Sequence, residues 1–534
     1  MKRLLLLVVM VLTLAGTAQA WGWWNYPPDN EYVELTSTNL PIVWLDVDGE
    51  YIDRYERITA RMKIIHNNEG QLNWADTVAH PGQRIDYEGY VALRYRGSSS
   101  FGNSDKKPYS FRPLDKPLED GGEKVKVNIL GMGKDNNWAL LAPYADKSMI
   151  RDLLAFEVSR PWMEYTPQGR LCELFLDGTY YGVYILTEVV SKGKHRPNLP
   201  DPGLEGDELT GGYIMEVNRT DGEVTHTSQY HPVSDTGQPY EYRYICFQYK
   251  SPDYEDLTQE QVNYITTRIN QMERSLWNYR PSGNAGYEAY LDVTNFIDYQ
   301  LAQELGHNVD AYRLSGKFFK RRDSEDPRFK MVLWDMNLAY GNSDYYQGWR
   351  TDTWIYKNNN ILNNEGDQQL IPFWWYKLNT NSDYTAALKS RWAQYRRGNL
   401  RTDRIMATVD SLANVLTSHG AERRNSEAWP RWGEYVWPNY YVASDYADEV
   451  DYLKQWLSQR IAWMDNQLGF DPEAVILGDL NGDGAVDISD VTLLINYVLT
   501  GDATGLIIDA ADINQDDSWD IADVTKLISL ILNN

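Results

Sequence analysis

Asp335 and Asn337 close the short apolar run VLWDMN, two side-chain oxygens on one side of a turn at the end of a buried stretch. Burying a carboxylate without a partner is expensive, so an acid there implies a metal ion, a cation or a set of hydrogen-bond donors. Upstream, ELGHNVDAYRLSGKFF carries Asn308 and Asp310 just past a helical segment, and a hairpin pattern separates them from Asp335. A loop acid followed by a metal-type acid beyond a β-pair suits phosphoryl transfer. One carboxylate orients an attacking hydroxyl while the other holds magnesium against phosphate oxygens. The same two acids also form a conceivable glycosidase pair, which needs carboxyls roughly 5 to 10 Å apart, although no sugar-cleaving motif surrounds them.

A second constellation ends the chain. GDLNGDGAVDISDVTLLINYVL and ADINQDDSWDIADVTKLISLIL repeat at an offset of 33. Asp479, Asn481, Asp483, Asp487 and Asp490 fall at positions 1, 3, 5, 9 and 12 of the first loop, and Asp512, Asn514, Asp516, Asp520 and Asp523 at the same positions of the second. Alternate oxygens around a tight turn, then an acid opening a helix, meet a hard cation's demand for roughly six to eight oxygen ligands. The pattern predicts two bound calcium ions in EF-hand-like loops. Gly484 takes the sharp sixth position of the first loop; Asp517 stands there in the second, and Asp tolerates left-handed backbone better than most residues. From Gly478 onward eleven acids face the single base Lys526, so folding of this tail is expected to be calcium-linked.

The rest of the composition narrows the setting. A net charge of −25 over 534 residues repels phosphate backbones and anionic lipid, which argues against nucleic acid and membrane surfaces as partners. MKRLLLLVVMVLTLAGTAQA reads as a secretory leader over residues 1–20 with cleavage near Ala20. No later apolar run reaches the roughly 18 residues of a membrane span, so a secreted, extracellular or surface-associated protein is expected. Cys172 and Cys246 are the only cysteines; export permits a disulfide, and burial as small apolar residues suits them equally. Most of the 20 Trp and 39 Tyr are expected in the core, with sugar stacking the lesser reading.

The elements that must position these groups fall into three blocks. From Val33 to about Asp253 short alternating strands dominate, as in YVALRYRG, and ELFLDGTYYGVYILTE is a hairpin around Asp177-Gly178. One helix interrupts, with Ile150, Leu153, Leu154 and Val158 on a single face. From Leu257 to about Phe470 the pattern turns helical, with stripes Val293, Ile297, Leu301, Leu305 and Val450, Leu453, Leu457, Ile461, Met464, Leu468. A β-excursion, SGKFFKRRDSEDPRFKMVLWDMN, delivers Asp335. An α+β body with a β-rich front lobe, a helical rear lobe and a cleft between them is expected over 33–470, then a small all-α calcium module over 478–534.

Six segments in order, RYRGSSSFGNSDKKPYSFR, NNWALLAPYADKSMIRDLLAFEVSR, ELFLDGTYYGVYILTEVV, ELGHNVDAYRLSGKFFKRRD, VLWDMNLAYGNSDYY and AWPRWGEYVWPN, together resemble the CotH (spore-coat protein H-like) kinase family. That resemblance implies an atypical protein-kinase-like fold and phosphate transfer from ATP, with Mg²⁺ or Mn²⁺, to serine of secreted or coat proteins. It makes Asp335 the metal ligand, with Asn337 beside it, and puts Asp310 and Asn308 in the catalytic-loop segment. Lys107 becomes the candidate phosphate-contacting lysine, with Lys106 the alternative register. The loop Arg96 to Ser100 would cover the phosphates and Glu188 would lie toward the base. Ser315 stands where a kinase places a second metal-binding asparagine. The tail resembles a type I dockerin, which implies docking to a cohesin domain on a scaffold and company with polysaccharide-degrading, cellulosome-type systems. A kinase-like scaffold without catalysis, and a carbohydrate-active component, are the other readings.

Overall fold

The computed structural model describes residues 33–278, 286–472, 475–516 and 518–533. The expected leader over 1–20 and position 517 lie outside the described residues.

Seven strands close a barrel: β1 (Ile42–Asp46), β2 (Ile58–Ile65), β3 (Ile85–Tyr95), β4 (Tyr109–Leu114), β5 (Trp138–Leu141), β6 (Gly169–Leu176) and β7 (Thr179–Glu188). The spatial order is β6-β7-β5-β4-β3-β2-β1, and β1 closes the ring by pairing parallel to β6 with Glu173 opposite Ile42. The period-two alternation read from YVALRYRG is realised in β3. Val91, Leu93 and Tyr95 are buried in the barrel core, and Arg94 faces out. Asp177 (φ 46) and Gly178 (φ 78) make the two-residue turn between β6 and β7, the left-handed pair that such a hairpin requires.

Helix α1 (Arg151–Ser159) leaves the barrel and packs its apolar face into the helical body. There a five-stranded sheet, β8 (Tyr213–Val217), β9 (Thr225–Thr227), β10 (Cys246–Ser251), β11 (Gly316–Lys320) and β12 (Phe329–Val332), runs in the order β9-β10-β8-β11-β12. It is surrounded by helices that include α2 (Gln259–Trp277), α3 (Val293–Gly306), α4 (Ser382–Arg397), α5 (Thr402–Thr417), α6 (Ala421–Ala428) and α7 (Tyr446–Leu468). The stripes expected on α3 and α7 enter one continuous core. Cys172 and Cys246 are both buried free thiols, so of the two readings burial holds and the disulfide does not.

The tail adds α8 (Ile488–Thr500) and α9 (Ile521–Asn533), each following one acidic loop, around a separate core of Leu480, Val491, Leu494, Ala511, Ile513, Val524 and Leu527. Among the described residues no helix is long and apolar enough to cross a membrane.

Candidate functional site

Between the barrel and the helical body lies a cavity of about 1800 Å³. Asp310, Asp335, Asn337 and the segment Arg96 to Ser100 all line it. The β11–β12 hairpin positions Asp335: Lys317 pairs with Val332, the buried Leu333 and Trp334 continue into the core, and the chain then turns at Asp335 with φ 61. Ser315, just before β11, also has a left-handed backbone, φ 53, and its Oγ donates to Asp335 Oδ2 at 3.0 Å. Two further bonds pin the turn. Met336 N–H donates to Asp152 Oδ1 at 2.7 Å, and Asn308 Nδ2 donates to the Asp335 carbonyl at 3.1 Å. Asn337 has its carbonyl held by Asn342 Nδ2 at 2.8 Å.

Helix α3 ends at Gly306 and His307 caps it with φ 44, so the following loop is aimed at the cavity. His307 itself is buried, its Nε2 2.9 Å from Thr353 Oγ1, a structural role. Asn308 sits behind the cavity wall; its Oδ1 accepts the Asp310 N–H at 3.2 Å while its amide holds Asp335. It ties the two acidic turns together without lining the cavity. Asp310 Oδ1 accepts from Arg313 Nη2 at 2.8 Å, and Arg313 Nη1 is braced by Asp367 Oδ2 at 2.7 Å.

Burial dominates the electrostatics. It pushes both Asp335 and Asp310 above the usual carboxylate range, with Arg96 and Arg313 respectively drawing each back. Asp152 is pushed up to about 7 by burial and then by the charge of Asp335. The Arg96 guanidinium stacks over Trp334 at 5.2 Å from the ring centre and feels Asp335, Asp152 and Glu216. Its Nη1 is buried with no hydrogen-bond partner among the described residues, a donor suited to an anionic ligand.

Three charged cavity residues whose fields reach Asp335 escaped the sequence reading. Asp152 looks like an ordinary first-turn helix acid. Glu216 and Lys317 are direct partners across β8 and β11, joined at 2.8 Å, with Lys250 at 3.4 Å on the other Glu216 oxygen. A lone carboxylate inside the apolar run YIMEV was the available signal for Glu216.

Three expected groups lie elsewhere. Lys107 Nζ donates to the carbonyls of Phe101 at 2.8 Å and Ser104 at 2.6 Å, capping its own loop, and is not a cavity residue. Lys106 is fully buried, donating to Asn425 Oδ1 at 2.7 Å and to the Val183 carbonyl. Glu188 is also buried, accepting from Tyr165 Oη and Gln168 N–H, both at 3.0 Å, with Arg196 Nε 3.5 Å away. Lys107 and Lys106 are spent on these neighbours, and Glu188 sits beside Arg196 with its Oε1 unbonded among the described residues, so the cations that act on Asp335 are Arg96 and Lys317 instead.

In the tail the two loops fold alike. Asp490 is fully buried and accepts from the N–H groups of Leu480 (2.9 Å), Asn481 (3.2 Å) and Asp487 (3.0 Å). Asp523, its counterpart, is fully buried and accepts from Asn514 and Asp520 N–H, both at 3.1 Å. Asp479 accepts from Asp483 and Gly484 N–H; Asp512 accepts from Asp516 N–H. Asn481 bonds Asp483, and Asn514 bonds Asp516. Asp487 caps α8 through Ser489 N–H, and Asp520 accepts from Ala522 N–H. Gly484 has φ 89 at the sharp turn. Among the described residues no three His, Cys, Asp or Glu side chains converge as a metal site. The loops do concentrate carboxylates: burial and then Asp490 raise Asp479 above its ordinary range, a donor set that suits a hard cation.

Two family models match the chain, CotH kinase protein over residues 93–464 and dockerin type I domain over residues 477–532. A kinase-family body with a docking module is thus the class of protein that these segments define. The first match spans more than half of the 534 residues, and the chain belongs to the CotH kinase family. Its C-terminal module is a type I dockerin, a calcium-binding domain whose partner is a cohesin. No curated protein matches the chain.

Proposed function

We propose that this chain is a secreted CotH-like kinase that transfers phosphate from ATP to serine of an extracellular or surface protein. Its dockerin tethers it through calcium to a cohesin-bearing scaffold. In this reading residues 1–20 are a removed leader, 33–470 are a two-lobed kinase-like domain, and 478–534 are the dockerin with two F-hand-like repeats. The single observation that supports it most is the convergence of Asp310, Asp335, Asn337 and the unpartnered Arg96 donor on one cavity.

Asp335 and Asn337 would hold the magnesium or manganese ion, which supplies neutralisation of phosphate charge. Asp310 accepts the proton of the acceptor hydroxyl, held in orientation by Arg313 and made more basic by its burial. Arg96 and Lys317 bring positive charge to the phosphate side, and Glu216 holds Lys317 extended into the cavity wall. Ser315 and Asp152 fix the turn that presents Asp335.

The test is incubation of the protein with labelled ATP and Mg²⁺ or Mn²⁺ beside an Asp335→Ala variant. Label on protein serine that disappears in the variant supports the proposal. Nucleotide binding without transfer supports a scaffold instead, and release of reducing sugar from polysaccharide supports the carbohydrate reading.

A further inference from the structure

The outer face of the barrel carries an unusual charge pattern where it meets the cavity. Arg94 lies on β3, Arg112 on β4 and Arg57 just before β2. The register sets Ala92 opposite Arg112 and Leu93 opposite Ile58, so Arg57 stands beside Arg94 and all three point out on one side of the sheet. Each guanidinium spends its hydrogen bonds on neutral groups. Arg57 donates to the carbonyls of Ala92 (2.9 Å) and Ser110 (3.1 Å), Arg94 to the Tyr55 carbonyl (3.0 Å), and Arg112 to Asn137 Oδ1 (2.9 Å). None of the three forms a salt bridge among the described residues, and neither do the exposed Lys124 and Lys126 that line the same cavity. Elsewhere on β2, Arg61 pairs with Asp46 and Asp48, and Lys63 with Glu88.

Uncompensated clustering of this kind is costly. Burial, then Arg112 and Arg94, pull the Arg57 guanidinium below its ordinary value, and Asp253 is the carboxylate that acts on Arg112. In a chain with 76 acids, three neighbouring guanidiniums with no salt bridge among the described residues, and with Asp253 acting on Arg112 through space alone, mark a surface with positive charge left for an anionic ligand. The strip is also continuous with the site: Arg94 is two residues from Arg96, whose charge faces Asp335. From Arg96 to the level of Arg112 is about 13 Å of strand, the length of about four extended residues. The cavity's volume of about 1800 Å³ exceeds the ~300–1000 Å³ of ordinary small-molecule sites. There is room for a nucleotide and a polypeptide segment together.

We infer that the Arg57, Arg94 and Arg112 strip is the docking surface for an acidic polypeptide, so that the phosphorylated serine lies in a run of glutamate or aspartate. This deepens the kinase reading by naming the acceptor class, and its test is a binding experiment that does not need turnover. The probe is a fluorescein-labelled serine peptide flanked on both sides by glutamates, with a lysine-flanked counterpart, titrated in low salt by anisotropy without nucleotide. The full chain should bind the glutamate peptide and not the lysine peptide. Arg94→Gln/Arg112→Gln should weaken binding by about tenfold or more. Lys124→Gln/Lys126→Gln, at exposed positions that cannot disturb the barrel, should weaken it by about threefold. Mg-ATP affinity, read by thermal shift, should stay within about twofold in both. No binding of the glutamate peptide, binding indifferent to both double variants, or loss of ATP affinity with the peptide retained would each overturn the inference. The last result would assign the strip to nucleotide phosphates. Should ATP bind to none of the proteins while the peptide results hold, the kinase reading fails and the acidic-peptide surface stands.

Discussion

Ser315 and Asp335 face each other across the two ends of the β11–β12 hairpin, both with left-handed backbone, φ 53 and φ 61, and are joined by a 3.0 Å hydrogen bond. Backbone of this kind costs roughly 1–3 kcal/mol per residue and persists only where surrounding structure over-determines it. Here the surrounding bonds come from Asp152 and Asn308. The arrangement aims one carboxylate into a cavity and fixes which of its oxygens remains for a ligand.

That relationship predicts the effect of Ser315→Ala. Supporting donors around a metal-binding carboxylate commonly matter by about 10–100-fold in metal affinity. Titration calorimetry with Mn²⁺ on the proposed kinase site should show a loss in that range, with thermal unfolding of the main body little changed. Unaltered Mn²⁺ affinity would mean that Asp335 does not serve as a ligand.

The lysines give a sharper contrast. Lys317→Gln should weaken ATP binding by about tenfold, while Glu216 keeps Lys250 as a partner and the sheet keeps its register. Lys107→Gln should leave ATP affinity within about twofold, because its ammonium is spent on the Phe101 and Ser104 carbonyls. Fluorescent-nucleotide displacement measures both, and the reverse order of effects would return Lys107 to the site.

These lysines also mark where sequence reading ends. The Asp177-Gly178 hairpin, the α3 and α7 stripes and the turn at Asp335 are local patterns, written in periodicity and turn chemistry, and the structure realises each of them. Asp310, Asp335, Asn337 and the Arg96 loop are brought to one cavity by elements whose order was readable. Lys317 was not readable as a site residue, because its setting depends on pairing with Glu216, 101 residues away. Lys107 looked available because the carbonyls that cap it carry no sequence signature. Asp152 was masked by the ordinary preference for acids in a first helical turn.

Away from the cavity, Glu273 in α2 is fully buried between Ser228 Oγ (2.7 Å) and Trp374 Nε1 (3.0 Å). Burial pushes it up to about 7. The folded state therefore holds this proton more tightly than the unfolded chain between about pH 4.5 and pH 7. Stability from this group is full below that window, falls as pH rises through it, and is lower by about 3 kcal/mol above it. Glu273→Gln should match the parent at pH 4.5 and exceed it by up to about 3 kcal/mol at pH 8. Urea unfolding at the two pH values measures the difference, and a constant difference would show that Glu273 stays ionised.

The dockerin makes the last prediction, on the coupling of metal to folding. Its core is seven buried residues, small beside the main body, and its loops gather carboxylates whose own repulsion opposes closure. Asp490 and Asp523 are fully buried and, among the described residues, accept from backbone N–H groups of their own loops. A divalent ion relieves this repulsion, and its binding free energy is then folding free energy. EDTA should therefore release hydrogen-exchange protection across residues 475–533 while protection in the α3 and α7 core of the main body persists. Added Ca²⁺ should restore it, and Asp490→Ala should remove the restoration in the first loop more than in the second. Exchange in the tail that is indifferent to chelation would mean that the two loops close on backbone hydrogen bonds alone.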